Sequence, residues 1–287
     1  RFMKKRLGLM MLIMVLVVLA VTGCGGKDKD TTGGTDDAVV EGLQDGNYLV
    51  KMPVSDHGNY PMAKMEVANG EISSFEYMEI LADSGEEKNE SNYNYPEGLE
   101  VLKSLNEQFN EKKDLNEMNF DAVSGATHTK ESFKEVVNEL LAKASKGEKY
   151  EAVYKDGEYT EDAEEGSHGW KAGVKIVVKD GQIVGIDYYE LAEEDMEGNK
   201  VVFDEDKKPV TESDGKHKTE AVEIKAGDRK SVDNYAYLDS FDVVKGVQKL
   251  IIDNNGTEDL NLDSISGATN TRNTMIELIS KALEAAK

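Results

Sequence analysis

The sequence predicts an α+β protein made of two tandem repeats, each a small antiparallel sheet with helices. Three observations predict it. The chain aligns with itself over most of its length, and each copy begins with two alternating apolar runs joined by Asn-Gly or Asp-Gly. Each copy then ends in two stretches of helical apolar spacing, separated by one nine-residue signature. Antiparallel strands followed by helices within a unit define the class.

The N-terminus comes first. In residues 1–24, Lys4, Lys5 and Arg6 precede an apolar run from Leu7 to Val21 that is short for a membrane span. The small residues Thr22-Gly23 then precede Cys24. This is the layout of an export signal, with translation expected to begin at Met3. A small residue directly before the single cysteine resembles the lipobox of bacterial lipoproteins, although Val21 stands where that pattern usually has Leu. The resemblance implies a lipidated Cys24 and a protein anchored on the extracytoplasmic face of the cell membrane, at about 0.8 kcal/mol per buried methylene. An ordinary signal peptide with an incidental cysteine is the other reading. Residues 25–40, rich in Gly, Thr and charge, are expected to be a flexible linker.

Length and apolar content suit two domains of ordinary size, expected at 41–146 and 147–287. Without the leader, 30 basic residues face 57 acidic ones, a net charge of −27. Such a surface repels phosphate backbones and argues against a nucleic-acid partner. One cysteine excludes an internal disulfide, and the scattered His57, His128, His168 and His217 offer no zinc spacing.

Asp45-Gly46-Asn47-Tyr48 matches Asp156-Gly157-Glu158-Tyr159 at an offset of 111, which also carries His57 onto His168, Ile72 onto Ile183 and Tyr77 onto Tyr188. The alternating runs from Met62 to Val67 and from Gly173 to Val178 each meet a turn, Asn69-Gly70 or Asp180-Gly181. A second run follows each turn, so both are predicted hairpins. Beyond Leu191 the offset becomes 142, carrying Tyr93 and Tyr95 onto Tyr235 and Tyr237. The 31 extra residues fall between Leu191 and Asp233, a charged stretch expected to be a solvated insertion. Residues 97–111 and 239–252, and the stretches after each signature, have helical apolar spacing.

The signatures are Asp121-Ala122-Val123-Ser124-Gly125-Ala126-Thr127-His128-Thr129 and Asp263-Ser264-Ile265-Ser266-Gly267-Ala268-Thr269-Asn270-Thr271. A threonine N-cap accounts for one hydroxyl per copy. It leaves the Gly-Ala pair, the second threonine and the aspartate unexplained. Small residues admit close approach to the backbone, and a helix N-terminus favours an anion such as phosphate. Physics alone leaves two readings open, a duplicated phosphate-holding helix start and plain capping.

The Asp-x-x-Ser-Gly-Ala-Thr stretches resemble the flavinylation motif of the FMN-binding domain family, found in flavin subunits of sodium-pumping NADH:quinone oxidoreductases and Rnf-type complexes. The resemblance spans both repeats, and the layout of leader plus two domains is similar to flavin lipoproteins of extracellular electron transfer. It implies two FMN groups, each attached by a flavin transferase through a threonine phosphoester. Thr127 and Thr269 would be the acceptors, with Thr129 and Thr271 as runners-up or phosphate contacts. Asp121, Ser124, Gly125 and Ala126, with Asp263, Ser266, Gly267 and Ala268, would complete the cofactor sites. The protein so implied is an electron carrier rather than an enzyme, taking electrons from a membrane quinone-linked donor and passing them to a downstream flavin or terminal acceptor. Glu79-Ile80-Leu81 and Glu190-Leu191-Ala192 lead into acidic loops instead of the Gly-rich loop of the membrane-complex members, which favours a freestanding carrier. The alternative is a lipid-anchored binding protein for an anionic or phosphorylated ligand.

Among other candidates, the paired histidines His57 and His168 either line a flavin pocket or pack on a neighbouring ring. The repeated tyrosines either stack on a flavin or fill the core. Asp253-Asn254-Asn255-Gly256 has the wrong spacing for a calcium loop and is expected to be a turn.

Overall fold

A computed structural model describes residues 42–122 and 124–287. The export signal, Cys24 and the linker of residues 25–40 lie outside the described residues.

Each repeat carries a three-stranded antiparallel sheet in sequential order. The first comprises β1 (Gly46–Lys51), β2 (Asn59–Ala68) and β3 (Glu71–Leu81); the second comprises β4 (Gly157–Asp162), β5 (Trp170–Lys179) and β6 (Gln182–Ala192). The predicted hairpins are present. Asn69 and Gly70 have φ of 56° and 76°, and Asp180 and Gly181 have 50° and 65°. Positive φ at both central residues is the turn whose twist matches the strands it joins. Sequence periodicity did not show β1 and β4, the strands that follow Asp-Gly. Nor did it show the bulge that breaks the register between Glu66 and Val67 and again between Val177 and Val178. That bulge is conserved between the copies at the 111-residue offset.

Helices α1 (Pro96–Lys112) and α2 (Thr127–Lys146) cover one face of the first sheet, and α3 (Asp239–Asn254) and α4 (Thr269–Glu284) pack on the second. Pro96 stands at the start of α1, where its missing N–H has no ladder role. Gly147 ends α2 in the left-handed conformation, its N–H returning to Lys143 and Ala144 carbonyls. The Asp253–Gly256 turn proves to be the end of α3, with Asn255 left-handed at φ 53°. Val101, Leu105 and Phe109 of α1 meet Phe133, Val136 and Leu140 of α2 over Tyr48, Met65 and Phe75.

The first sheet is used on both faces. Tyr60, Met62, Met78 and Ile80 turn away from α1 and α2 and join the core of the second repeat beside Val174, Ile176 and Ile186. Polar contacts cross the same seam. Tyr60 Oη donates to Val184 O at 2.7 Å, Ile186 N to Ala82 O at 2.9 Å, and Val54 N to Asp253 Oδ1 at 2.7 Å. Lys51 Nζ donates to the carbonyls of Ile183 and Ile252, the latter near the end of α3. Backbones meet where Gly185 faces Gly85; a Cβ on Gly185 would lie 2.1 Å from Gly85 N.

The charged insertion is exposed, as expected, but it is not without structure. It forms a two-stranded sheet of β7 (Met196–Val201) and β8 (Thr219–Ile224), and Ile224 closes a small core with Trp170 and Ala192. Its ends return together: Ala192 N donates to Asp228 O at 2.9 Å and Lys230 N to Glu190 O at 2.8 Å.

Two outcomes test this seam. Gly185→Ala cannot be relieved by a side-chain rotation, because the obstacle is backbone. It should cost ~3 kcal/mol in denaturant unfolding. Burial pulls the Lys51 ammonium down to about 8, against a weaker opposing pull from Asp253. The unfolded chain then binds more protons than the folded one between pH 8 and the ordinary lysine range, so stability rises across pH 8–10. Lys51→Met should flatten that rise in pH-dependent thermal melts.

Candidate functional site

Both signatures form the same local structure. Gly125 and Ala126 have φ of 83° and 46°; Gly267 and Ala268 have 88° and 33°. Two successive left-handed residues turn the chain sharply into the helix. For alanine that conformation costs about 1 kcal/mol. Both alanines are partly buried, with Ala126 against the first core and Ala268 against the second. A packed methyl offsets the strain and explains why glycine does not stand there.

The capping expectation is corrected. The N-cap residues are Ala126 and Ala268, and neither helix has a side-chain cap. Their carbonyls begin the helical ladder, accepting from Lys130 N at 3.1 Å and Arg272 N at 3.0 Å. Thr127 and Thr269 are the first helical residues and are exposed, with first-turn amides beside them that have no side-chain cap among the described residues. Apart from its chain neighbours, no described residue lies within 4 Å of where a side chain on Gly125 would stand; at Gly267 Val243 Cγ2 does, at 3.9 Å. Asp121, Ser124, Asp263 and Ser266 are exposed on the approach. Arg272 holds the second approach, donating to Leu262 O at 3.4 Å and Ile265 O at 3.2 Å.

The second threonines are half-buried and face the sheet. Thr129 Oγ1 donates to Glu79 Oε1 at 2.8 Å. Glu79 is buried and pairs through Oε2 with Lys88, the two side chains being 9% and 6% exposed. Lys88 lies 4.4 Å over the Tyr93 ring, and Tyr95 stands next to it, 67% exposed. The second repeat rebuilds this cluster: Glu190 pairs with Lys230, which lies 4.4 Å over Tyr235, and Tyr237 is 73% exposed. The tyrosine expectation is therefore settled against core packing for Tyr95 and Tyr237, whose rings stand in solvent.

The copies differ in the carboxylate's third partner. Tyr188 Oη donates to Glu190 Oε1 at 3.2 Å, and Thr271 lines a cavity of about 450 Å³ together with Tyr188, Glu190, Lys230 and Phe241. In the first repeat the matching Tyr77 hydroxyl is buried without a hydrogen-bond partner among the described residues. Burial, with Glu79 or Glu190 nearby, pushes both phenols upward.

Sequence reasoning missed Glu79, Glu190, Lys88 and Lys230. The signal was available, since Glu79 maps onto Glu190 at one offset and Lys88 onto Lys230 at the other. Both glutamates stand where the chain leads into acidic loops, which conceals them. His57 and His168 are exposed on turns, and His168 is left-handed at φ 54°. Neither lines the cavity. Among the described residues no group of three or more His, Cys, Asp or Glu could hold a metal ion.

The family model of the FMN-binding domain matches residues 58–142 and 168–284, which together are well over half of the chain. The chain belongs to the FMN-binding domain family and is a flavin-binding protein with two such regions. No curated protein sequence matches the chain. One solved structure, a Clostridium perfringens protein, is 24% identical and covers 38% of this chain and 93% of its own, with a TM-score of 0.34. The residues present fit a flavin phosphate and ring: an exposed hydroxyl at each helix start, uncapped amides, open space beside the glycine and an exposed tyrosine.

The Glu–Lys pair gives a direct test of how the sheet is tied to the helix start. Removing one partner leaves a buried charge unpaired, so Lys88→Met should cost ~3–5 kcal/mol. The double variant Lys88→Met with Glu79→Leu should cost clearly less than the two single changes summed. Urea unfolding of the four chains measures the coupling.

Proposed function

We propose that this protein is a lipid-anchored, extracytoplasmic electron carrier bearing one covalent FMN on each repeat, joined through phosphate to Thr127 and Thr269. The observation that carries the reading is the duplicated left-handed Gly-Ala turn. It places a threonine hydroxyl at the first helical position, exposed and next to amides that favour phosphate. Thr129 supports the choice of Thr127, because its hydroxyl is already given to Glu79. In the second repeat Thr269 is exposed while Thr271 faces the cavity.

Bound FMN supplies reversible uptake and release of electrons. The chain's own residues do the rest. The uncapped first turn and the glycine hold the phosphate, while Tyr95 and Tyr237 offer rings against which an aromatic group can stack. In the first repeat the Glu79–Lys88 pair keeps the helix start fixed to the sheet through Thr129. Covalent attachment suits a protein outside the cell, where free flavin diffuses away. A flavin transferase loads the chain, a quinone-linked membrane donor reduces it, and a downstream flavin or terminal acceptor oxidises it. The lipid on Cys24 keeps it at the membrane surface; among the described residues no helix is long and apolar enough to cross a membrane.

Intact mass of the chain coexpressed with a flavin transferase tests this reading. Each ester adds the mass of FMN less water, and two additions are expected. Thr127→Val and Thr269→Val should each remove one, while Thr129→Val and Thr271→Val should retain both. A chain with no added mass and no yellow colour returns the helix starts to reversible anion binding.

A further inference from the structure

The free edge of the last strand of each sheet is closed differently in the two repeats. In the first, Asn106 of α1 clasps Tyr77 of β3, accepting from Tyr77 N at 2.7 Å and donating to Tyr77 O at 2.7 Å. Asn110, one turn on, donates to Phe75 O at 2.8 Å. At the offsets of the repeat, Tyr188 and Ile186 of β6 stand for Tyr77 and Phe75, while Gln248 and Ile252 of α3 stand for Asn106 and Asn110. The isoleucine side chain has no donor. Gln248, longer by one methylene, donates to Ile186 O at 2.6 Å instead and leaves the tyrosine unclasped. Arg229 Nη2 takes Tyr188 O at 3.0 Å.

The Tyr188 amide is what remains. Along this edge Ile186 N donates outward to Ala82 O, and Glu190 O accepts from Lys230 N. The pleat turns Tyr188 N the same way, midway between them. It has no partner there among the described residues. Tyr188 is 6% exposed, and a buried backbone N–H without an acceptor is rare.

This edge opens on the cavity of about 450 Å³ between β6, α3 and the loop after β3, a size that suits a small molecule. Thr271 lines it with a second donor, a hydroxyl that makes no hydrogen bond among the described residues. Tyr189, Phe241 and Val244 add apolar wall. The charges balance, with Asp83, Asp187 and Glu190 against Arg229, Lys230 and Lys245. Four of the six are already joined as Asp187–Arg229 and Glu190–Lys230, and Asp83 and Lys245 are exposed. A ligand of either sign meets as much repulsion as attraction, so the lining favours a neutral one. Two open donors call for acceptor oxygens, and aromatic walls call for a flat ring.

We propose that this cavity binds a free, neutral, planar ring bearing carbonyl oxygens, the chemistry of a quinone. Those oxygens accept from Tyr188 N and Thr271 Oγ1. The site stands on the cavity alone and does not depend on flavin attachment at Thr269, which does not line it.

Amide NMR of the isotope-labelled full chain, titrated with duroquinone, tests this. The Tyr188 amide should shift saturably, while the Tyr77 amide, already clasped by Asn106, should stay in place. Terephthalate, which is charged, and p-xylene, which has no carbonyl, should each bind about tenfold more weakly or worse, as should duroquinone to Thr271→Val. The response should be the same in chain expressed with and without a flavin transferase. A shift seen only without the transferase would give the cavity to the covalent flavin's own ring and overturn the proposal. A Tyr188 amide that does not move, equal binding of terephthalate or p-xylene, or unchanged binding by Thr271→Val also overturns it, and leaves the carrier reading in place.

Discussion

Everything at the site depends on an alanine held in a conformation that alanine avoids. Ala126 and Ala268 sit at φ 46° and 33°, directly before a helix. Such backbone persists only where its surroundings over-determine it. Here the preceding glycine absorbs the first half of the turn, the alanine methyl packs on the core, and the alanine carbonyl opens the helical ladder. The result is a helix whose first residue is an exposed threonine and whose first amides are left uncapped. A serine or threonine N-cap would have occupied one of those amides, and neither helix has one.

That strained turn is useful only if the helix behind it stays put. Glu79 ties the first turn of α2 to β3 through Thr129 while neutralising Lys88, so one buried carboxylate joins sheet, loop and helix. The second repeat keeps the Glu–Lys pair across a 31-residue insertion, because the ends of the insertion are pinned together on β6. The insertion lengthens the loop without moving the lysine. The seam adds a further constraint: Tyr60 and Ile80 enter the core of the other repeat, and Gly85 meets Gly185 backbone to backbone. The loop after β3 thereby reaches the second cavity, which is why Asp83 lines a site belonging to the other copy.

Much of the fold was legible in the residues. The hairpins follow from period-two runs around Asn69-Gly70 and Asp180-Gly181, and the helices from the spacing of residues such as Val101, Leu105 and Phe109. The short strands β1 and β4 were not legible, because six residues that begin with a glycine show too little alternation. The signatures are legible from the repeat itself, but their conformation is not. A threonine beginning a helix suggests a cap, and only φ reveals that alanine occupies that place. The Glu–Lys pairs are not legible because charge in a loop-rich acidic chain ordinarily means solvent. Only the coincidence of both partners at matching offsets distinguishes them. The exposed Tyr95 and Tyr237 went the other way, since aromatic residues entering a helix usually pack inward.

The central claim is that each strained turn presents a threonine for a covalent flavin. Its most direct measurement is flavin absorbance of the coexpressed full chain after denaturation and removal of small molecules. The account predicts two flavins per chain remaining with the polypeptide. Flavin recovered entirely in the small-molecule fraction would contradict it.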